Sequence, residues 1–183
     1  MINFVNVNPT PLVDELDKLE LNDVTNREAV VANKYFTLLF GSNFYRRNFD
    51  PINAALNYGY AIILSLVNRE IVQNGYLTCI GIHHKSNENQ FNLGSDLMEP
   101  FRPIVDQWVS QQKFKEFTPD IKFGLVSLMD VKVRFNKQDT YLSNAISTHV
   151  ANCLHFLSED VDEIKIEMEI PNEVSSHAIN SHV

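Results

Sequence analysis

The chain has no apolar run long enough to cross a bilayer. The longest, Tyr60-Ala-Ile-Ile-Leu-Ser-Leu-Val67, is well short of the roughly 20 residues a spanning helix needs, so no membrane role is expected. The opening MINFVNVNPTP lacks the basic and apolar regions of a secretion signal, and a cytoplasmic protein is expected. Cysteine is nearly absent. Cys79 and Cys153 both stand among apolar neighbours and read as buried thiols rather than a disulfide. Positive charge is not in excess, since the chain of 183 residues carries a net charge of −8, against the usual sign for a nucleic-acid binder. Internal repeats, low-complexity linkers and any Ser/His/Asp or Cys/His catalytic arrangement are missing too.

What is present is an ordinary globular composition, 44% apolar and 21% charged, enough for a single domain with a real core. The negative charge is local. Residues 159–173 hold seven acids and one base, a net of −6, which leaves the rest of the chain at −2. A near-neutral body can still present a basic face, for which Arg46, Arg47, Arg102, Lys113 and Lys115 are candidates.

Apolar spacing predicts helices over 11–21 and 26–40, with Thr25 as N-cap of the second and Gly41 as its stop. Asp50-Pro51 is a strong helix start, an N-cap acid followed by proline. From Ile52 to Asn74 the sequence is apolar almost all round, which predicts a central buried helix ended by Asn74-Gly75. Further helices are expected up to Val109, over 119–130 and over 142–157. VKVRF and DTYL flank Asn136-Lys137-Gln138 as a short hairpin, and EIKIEMEI alternates like an edge strand or an extended arm. The expected fold is mainly α, a compact helical domain around helix 51–74 with a minor β-hairpin. Residues 159–183 form an acidic tail.

One stretch concentrates chemistry. GIHHKSNENQFNLGSDLMEPFRP, residues 81–103, holds His83, His84, Asp96 and Glu99 beside Pro100 and Pro103. Asp96 and Glu99 are three apart and share a face if helical. Pro100 removes a backbone donor and crowds the carbonyl of Asp96, so the helix begins or kinks there. Carboxylates with an imidazole suit Mg2+ or Mn2+, the latter better matched to the imidazole. Adjacent histidines point apart, so at most one joins the acids. Taken alone, the stretch reads as surface acids near a loop histidine. A third carboxylate is needed, and Glu28 is one candidate, although the first turn of a helix favours an acid in any case. Asp50, Asp106 and Glu70 read as cap, solvated acid and helix partner.

TNREAVVANKYF, DPINAALNYGYAIILSLVNREI and NGYL-x-x-x-GIHHKSNENQFNLGSDLMEPFRPIVD, in that order over residues 25–106, resemble the CRISPR adaptation integrase, the metal-dependent endonuclease that inserts new spacers into CRISPR arrays. The motifs are similar to the variant that accompanies type II systems. The resemblance implies a metal held by Glu28, His84 (not His83) and Glu99, with Asp96 an auxiliary acid in the same site. It implies attack of a DNA 3′-hydroxyl on a phosphodiester at the repeat end. Double-stranded DNA (prespacer and repeat), a homodimer and a small ferredoxin-like companion subunit are the implied partners, in a prokaryotic cytoplasm. Arg27 and Arg102 flank the site and are candidates for phosphate contact, or for pairing with acids. The smaller β-rich domain that precedes the helical one in the family is not matched, so the chain is expected to be the catalytic half. The alternative expectation is a truncated, non-catalytic assembly module binding integrase subunits or DNA.

Overall fold

The computed structural model describes residues 10–16, 27–159, 161 and 163–171. In chain order these form α1 (Thr10–Leu16), α2 (Arg27–Phe40), α3 (Pro51–Gln73) and α4 (Asn92–Met98). A 3₁₀ turn, Glu99–Phe101, leads into α5 (Arg102–Gln111) and then α6 (Pro119–Ser127), with a second 3₁₀ turn at Leu128–Asp130. β1 (Lys132–Phe135), β2 (Gln138–Tyr141), α7 (Leu142–Leu157) and β3 (Met168–Glu169) complete the fold. The mainly α architecture with a minor β element is as the sequence predicts. The segment 17–21 of the first expected helix, the Thr25 cap, and Asp160, Asp162 and residues 172–183 of the acidic tail lie outside the described residues.

α3 is the axis of the core. Its apolar circumference buries Ala55, Leu56, Tyr60, Ile63, Leu66, Val67 and Ile71, and α4, α5, α6 and α7 all pack on it. Asp50 caps it as expected, accepting the amide of Asn53 at 2.8 Å, with Pro51 at the first helical position. Asn74 and Gly75 (φ 84°) close it. The helices approach closely where side chains are small. A Cβ on Gly59 would overlap Val105 of α5. α2 is peripheral and buries no residue fully, but Phe36 and Phe40 lean on the core.

The helix is interrupted at the proline of MEPFRP, as expected: α4 gives way to one 3₁₀ turn and then α5. The hairpin turns on Asn136 and Lys137 alone, both with positive φ, so Gln138 pairs with Phe135 instead of belonging to the loop. Of the alternating tail, only Met168–Glu169 joins the sheet, antiparallel to β1, in the order β2-β1-β3. Among the described residues, no helix is long and apolar enough to cross a membrane.

Two expectations fail for tertiary reasons. Cys79 is exposed and only Cys153 is buried, because residues 76–91 lie on the surface without regular structure and neighbours such as Leu77 and Ile80 are exposed as well. Asp106 is not solvated. It is 3% exposed, because α5 turns it toward the hydroxyls of Tyr35 on α2 and Tyr60 on α3, which both donate to it. Burial pushes its carboxyl up to about 6 against the lowering effect of those two hydrogen bonds. Glu70 does serve as a local partner, for Arg69 at 2.9 Å.

Candidate active site

His84 lies in an irregular loop, and Asp96 of α4 organises that loop. One carboxylate accepts the amides of Ile82 (2.6 Å), His83 (3.0 Å) and His84 (3.1 Å), and pairs with the His84 ring through Nδ1 at 2.5 Å. Burial, which would raise the Asp96 carboxyl, is outweighed by the His84 ring and these backbone donors, and its pKa is lowered. Asp96 is therefore an ionised acceptor near neutral pH. Facing an acceptor-only carboxylate, the His84 ring donates from Nδ1, and Nε2 is the ring nitrogen left for another partner.

Two residues that the sequence reading passed over make this possible. A Cβ on Gly81 would overlap the carbonyl oxygen of His84 and lie 2.8 Å from Asn92 Cβ and 2.9 Å from Asp96 Oδ2, so only glycine fits. Asn92, buried at the start of α4, donates through Nδ2 to the carbonyls of Cys79 (3.0 Å) and Ser86 (2.8 Å). Both residues lie inside the GIHH…GSD stretch. A glycine directly before a polar loop and an asparagine at a helix start were the available signals.

Glu99 follows α4 on the 3₁₀ turn, half exposed, and Arg102 donates to it at 2.7 Å. The guanidinium of Arg102 also lies 4.3 Å from the Tyr60 ring centroid. Glu28 is exposed in the first turn of α2. His83 Nε2 approaches it at 3.9 Å, and the His83 and His84 rings meet edge-on at 5.6 Å. The two histidines thus link Glu28 to Asp96, while Glu99 is held by Arg102. Arg27 pairs with Glu15 of α1 at 3.3 Å, as does Lys34 at 2.8 Å. Among the candidate basic residues, Arg46 and Arg102 are engaged with the protein, whereas Arg47, Lys113 and Lys115 are exposed.

The donor set, an imidazole with its far nitrogen free plus two exposed carboxylates, is chemically suited to Mn2+ or Mg2+. Among the described residues, no three of His, Cys, Asp and Glu already converge as a ligand group. The anchored half of the site is His84, its ring partly exposed, held on the largely covered carboxylate of Asp96. Glu28 and Glu99 are carried on solvent-exposed side chains whose contacts are with His83 and Arg102.

The family described as CRISPR associated protein Cas1 matches residues 12–119, more than half of the chain. The chain belongs to the Cas1 family. A CRISPR-associated endonuclease Cas1 of Neisseria meningitidis serogroup C (strain 8013) is 38% identical over 135 residues, covering 71% of this chain and 44% of that protein. A second, from Francisella tularensis subsp. novicida (strain U112), is 30% identical over 135 residues, 66% of this chain and 42% of its own length. The chain thus spans less than half the length of these curated relatives. Among solved structures, a casposase bound to integration product superposes with a TM-score of 0.71 at 22% identity, covering 87% of this chain and 54% of that one. That likeness extends the shared helical fold beyond the segment matched by the Cas1 family.

Proposed function

We propose that the chain is the metal-dependent DNA integrase and endonuclease domain of a Cas1 protein, acting in spacer insertion by attack of a DNA 3′-hydroxyl on a phosphodiester. The observation that carries this reading is the His84–Asp96 pair, in a chain of a family whose curated relatives are named endonucleases. An imidazole locked by a buried carboxylate is how proteins prepare a histidine ligand. Glu28, His84 and Glu99 would hold Mn2+ or Mg2+, with Asp96 behind His84 and auxiliary to the ion. Bound there, the ion would neutralise charge on the phosphate and help deprotonate the attacking hydroxyl.

The protein's own part is to orient. Asp96 fixes the His84 tautomer and ring plane. Arg102, anchored on Tyr60, sits next to Glu99, where its second edge can meet a phosphate oxygen. In the reaction the 3′-oxygen forms a new bond to phosphorus, the bond to the repeat's own 3′-oxygen breaks, and that oxygen takes the proton. Double-stranded DNA, a second copy of the chain and a small ferredoxin-like companion subunit are the proposed partners.

The alternative, a non-catalytic assembly module, is favoured by one observation: Glu28 and Glu99 are already paired with His83 and Arg102. The decisive experiment is Mn2+-dependent cleavage and strand joining on a branched DNA, wild type against Glu28→Ala, His84→Ala and Glu99→Ala, with and without the companion subunit. Activity in the wild type and its loss in all three variants supports the integrase. Silence with both proteins present moves the assignment to the assembly module.

A further inference from the structure

The connection between α2 and α3 reads Gly41-Ser-Asn-Phe-Tyr-Arg-Arg-Asn-Phe49 and contains no acid in a chain of net charge −8. Its aromatic residues divide sharply. Phe44 is buried, 5.8 Å from the Phe36 ring and 4.8 Å from that of Phe40. Tyr45 is 60% exposed and Phe49 fully exposed. Arg47, also exposed, has no carboxylate partner among the described residues.

These exposed rings do not stand on a loose loop. Asn53, 2% exposed on α3, donates through Nδ2 to the Tyr45 carbonyl (2.9 Å) and to Asp50 (2.8 Å), and accepts Arg46 Nη1 at 2.8 Å. The other arm of Arg46 donates to Asn57 at 2.8 Å, and its guanidinium lies 5.4 Å from the Tyr60 ring centroid. Buried polar groups are thus committed to holding a surface loop in one shape. The loop also borders the candidate site. Arg46 and Arg102 both lie within cation–π range of Tyr60, and Arg102 holds Glu99.

We propose that loop 42–49 is a preformed stacking platform for unpaired DNA bases next to the reacting phosphodiester, with Phe49 and Tyr45 as the stacking faces and Arg47 as the backbone contact. Aromatic faces interleaved with a free arginine match the chemistry of single-stranded nucleic acid, which offers π-faces and phosphates together. A fully paired duplex hides its base faces, so the platform selects splayed or overhanging ends. A rigid loop loses little entropy on capture. The inference rests on the DNA reading above.

The test measures binding of the 183-residue chain to a duplex with a short 3′ overhang carrying 2-aminopurine, and to a blunt duplex of equal length. Phe49→Ala, Tyr45→Ala, Arg47→Ala and the conservative Phe49→Trp are compared, with folding checked by thermal melting. Phe49→Ala should weaken overhang binding on the order of tenfold and relieve 2-aminopurine quenching, while blunt-duplex binding stays unchanged and Phe49→Trp restores both signals. Equal loss on both DNAs, or none, overturns the platform. So does a change in oligomeric mass with DNA binding intact, which would make the loop a protein contact. A wild-type chain that binds neither DNA overturns the DNA reading together with the platform. A wild type that binds overhang DNA while the alanine variants match it overturns the platform alone.

Discussion

Asp96 holds His84 at two points, ring and backbone, with one oxygen: Oδ1 takes Nδ1 at 2.5 Å and the amide at 3.1 Å, while Oδ2 takes the two preceding amides. The two functions separate by substitution. Asp96→Asn keeps an acceptor but loses the charge, and it is expected to lower Mn2+ affinity by about 10–100-fold with a small change in melting temperature. Asp96→Ala strands three amides and should lower the melting temperature further. Manganese titration by EPR and thermal melting read the two effects. The lowered Asp96 pKa sets the sign with acid: its contribution to loop stability is present above the ordinary carboxylate value of 3.8 and is lost as pH falls below it.

Gly81→Ala should misplace His84 without any change in ligand chemistry. The new methyl overlaps the His84 carbonyl, and relief requires the loop to shift. A loss of about 1–3 kcal/mol is expected, the range for overpacking, with strand-joining activity falling as far as in His84→Ala. Denaturant unfolding and the branched-DNA assay check both. Wild-type activity in this variant would mean that His84 is not a ligand.

Two buried groups titrate in the same pH window with opposite sign. Asp106, raised by burial to about 6, holds a proton in the fold that the unfolded chain has already released, so its contribution falls as pH rises from about 4 to 6. His149, 2% exposed and beside Phe101 and Phe135, is lowered by burial to about 4, so its contribution falls as pH drops from 6.5 toward 4. Each is worth on the order of 3 kcal/mol, and the two nearly cancel. Asp106→Asn should leave the histidine slope, with melting temperature rising from pH 4.5 to 6.5. His149→Gln should leave the opposite slope. Parallel curves for the two variants would refute the pairing.

The hairpin turn places Lys137 at φ 67°, where a side chain costs roughly 1 kcal/mol, so Lys137→Gly is expected to stabilise by a few tenths to about 1 kcal/mol. Asn136 does more than turn. Its amide donates to the Glu167 carbonyl at 2.8 Å and its Oδ1 accepts the Glu167 amide at 2.9 Å, which fastens the acidic segment to β1. Asn136→Ala should therefore speed hydrogen exchange at Glu167 while leaving α3 amides protected.

Much of the architecture was legible because its causes are local. Asp50-Pro51, Asn74-Gly75 and the α3 pattern act within one or two turns, and the hairpin signal within ten residues. The chemistry of the 81–103 stretch was legible by composition, but the division of labour within it was not. The split between a gripping Asp96 and an exposed Glu99 depends on the 3₁₀ turn at Pro100, and Gly81 matters only once His84 and Asn92 fold over it. Asp106 and Cys79 were misread because burial there is decided by Tyr35, some 71 residues away from Asp106, and by a surface loop with no periodicity.

That loop, residues 76–91, is fastened almost wholly to its own neighbours. Thr78 bonds to Gln90 and Leu93, Asn92 to Cys79 and Ser86, and Asp96 to residues 82–84. These ties each span fewer than twenty residues, so closing them incurs little chain entropy; the longer-range contacts of the loop are Tyr76 with Ser158 after α7 and His83 with Glu28 of α2. In kinetic terms a segment held mostly by such short-range ties is expected to open and reclose on α4 within the lifetime of the α3 core, so heat or denaturant should release His84 from Asp96 before the helices melt.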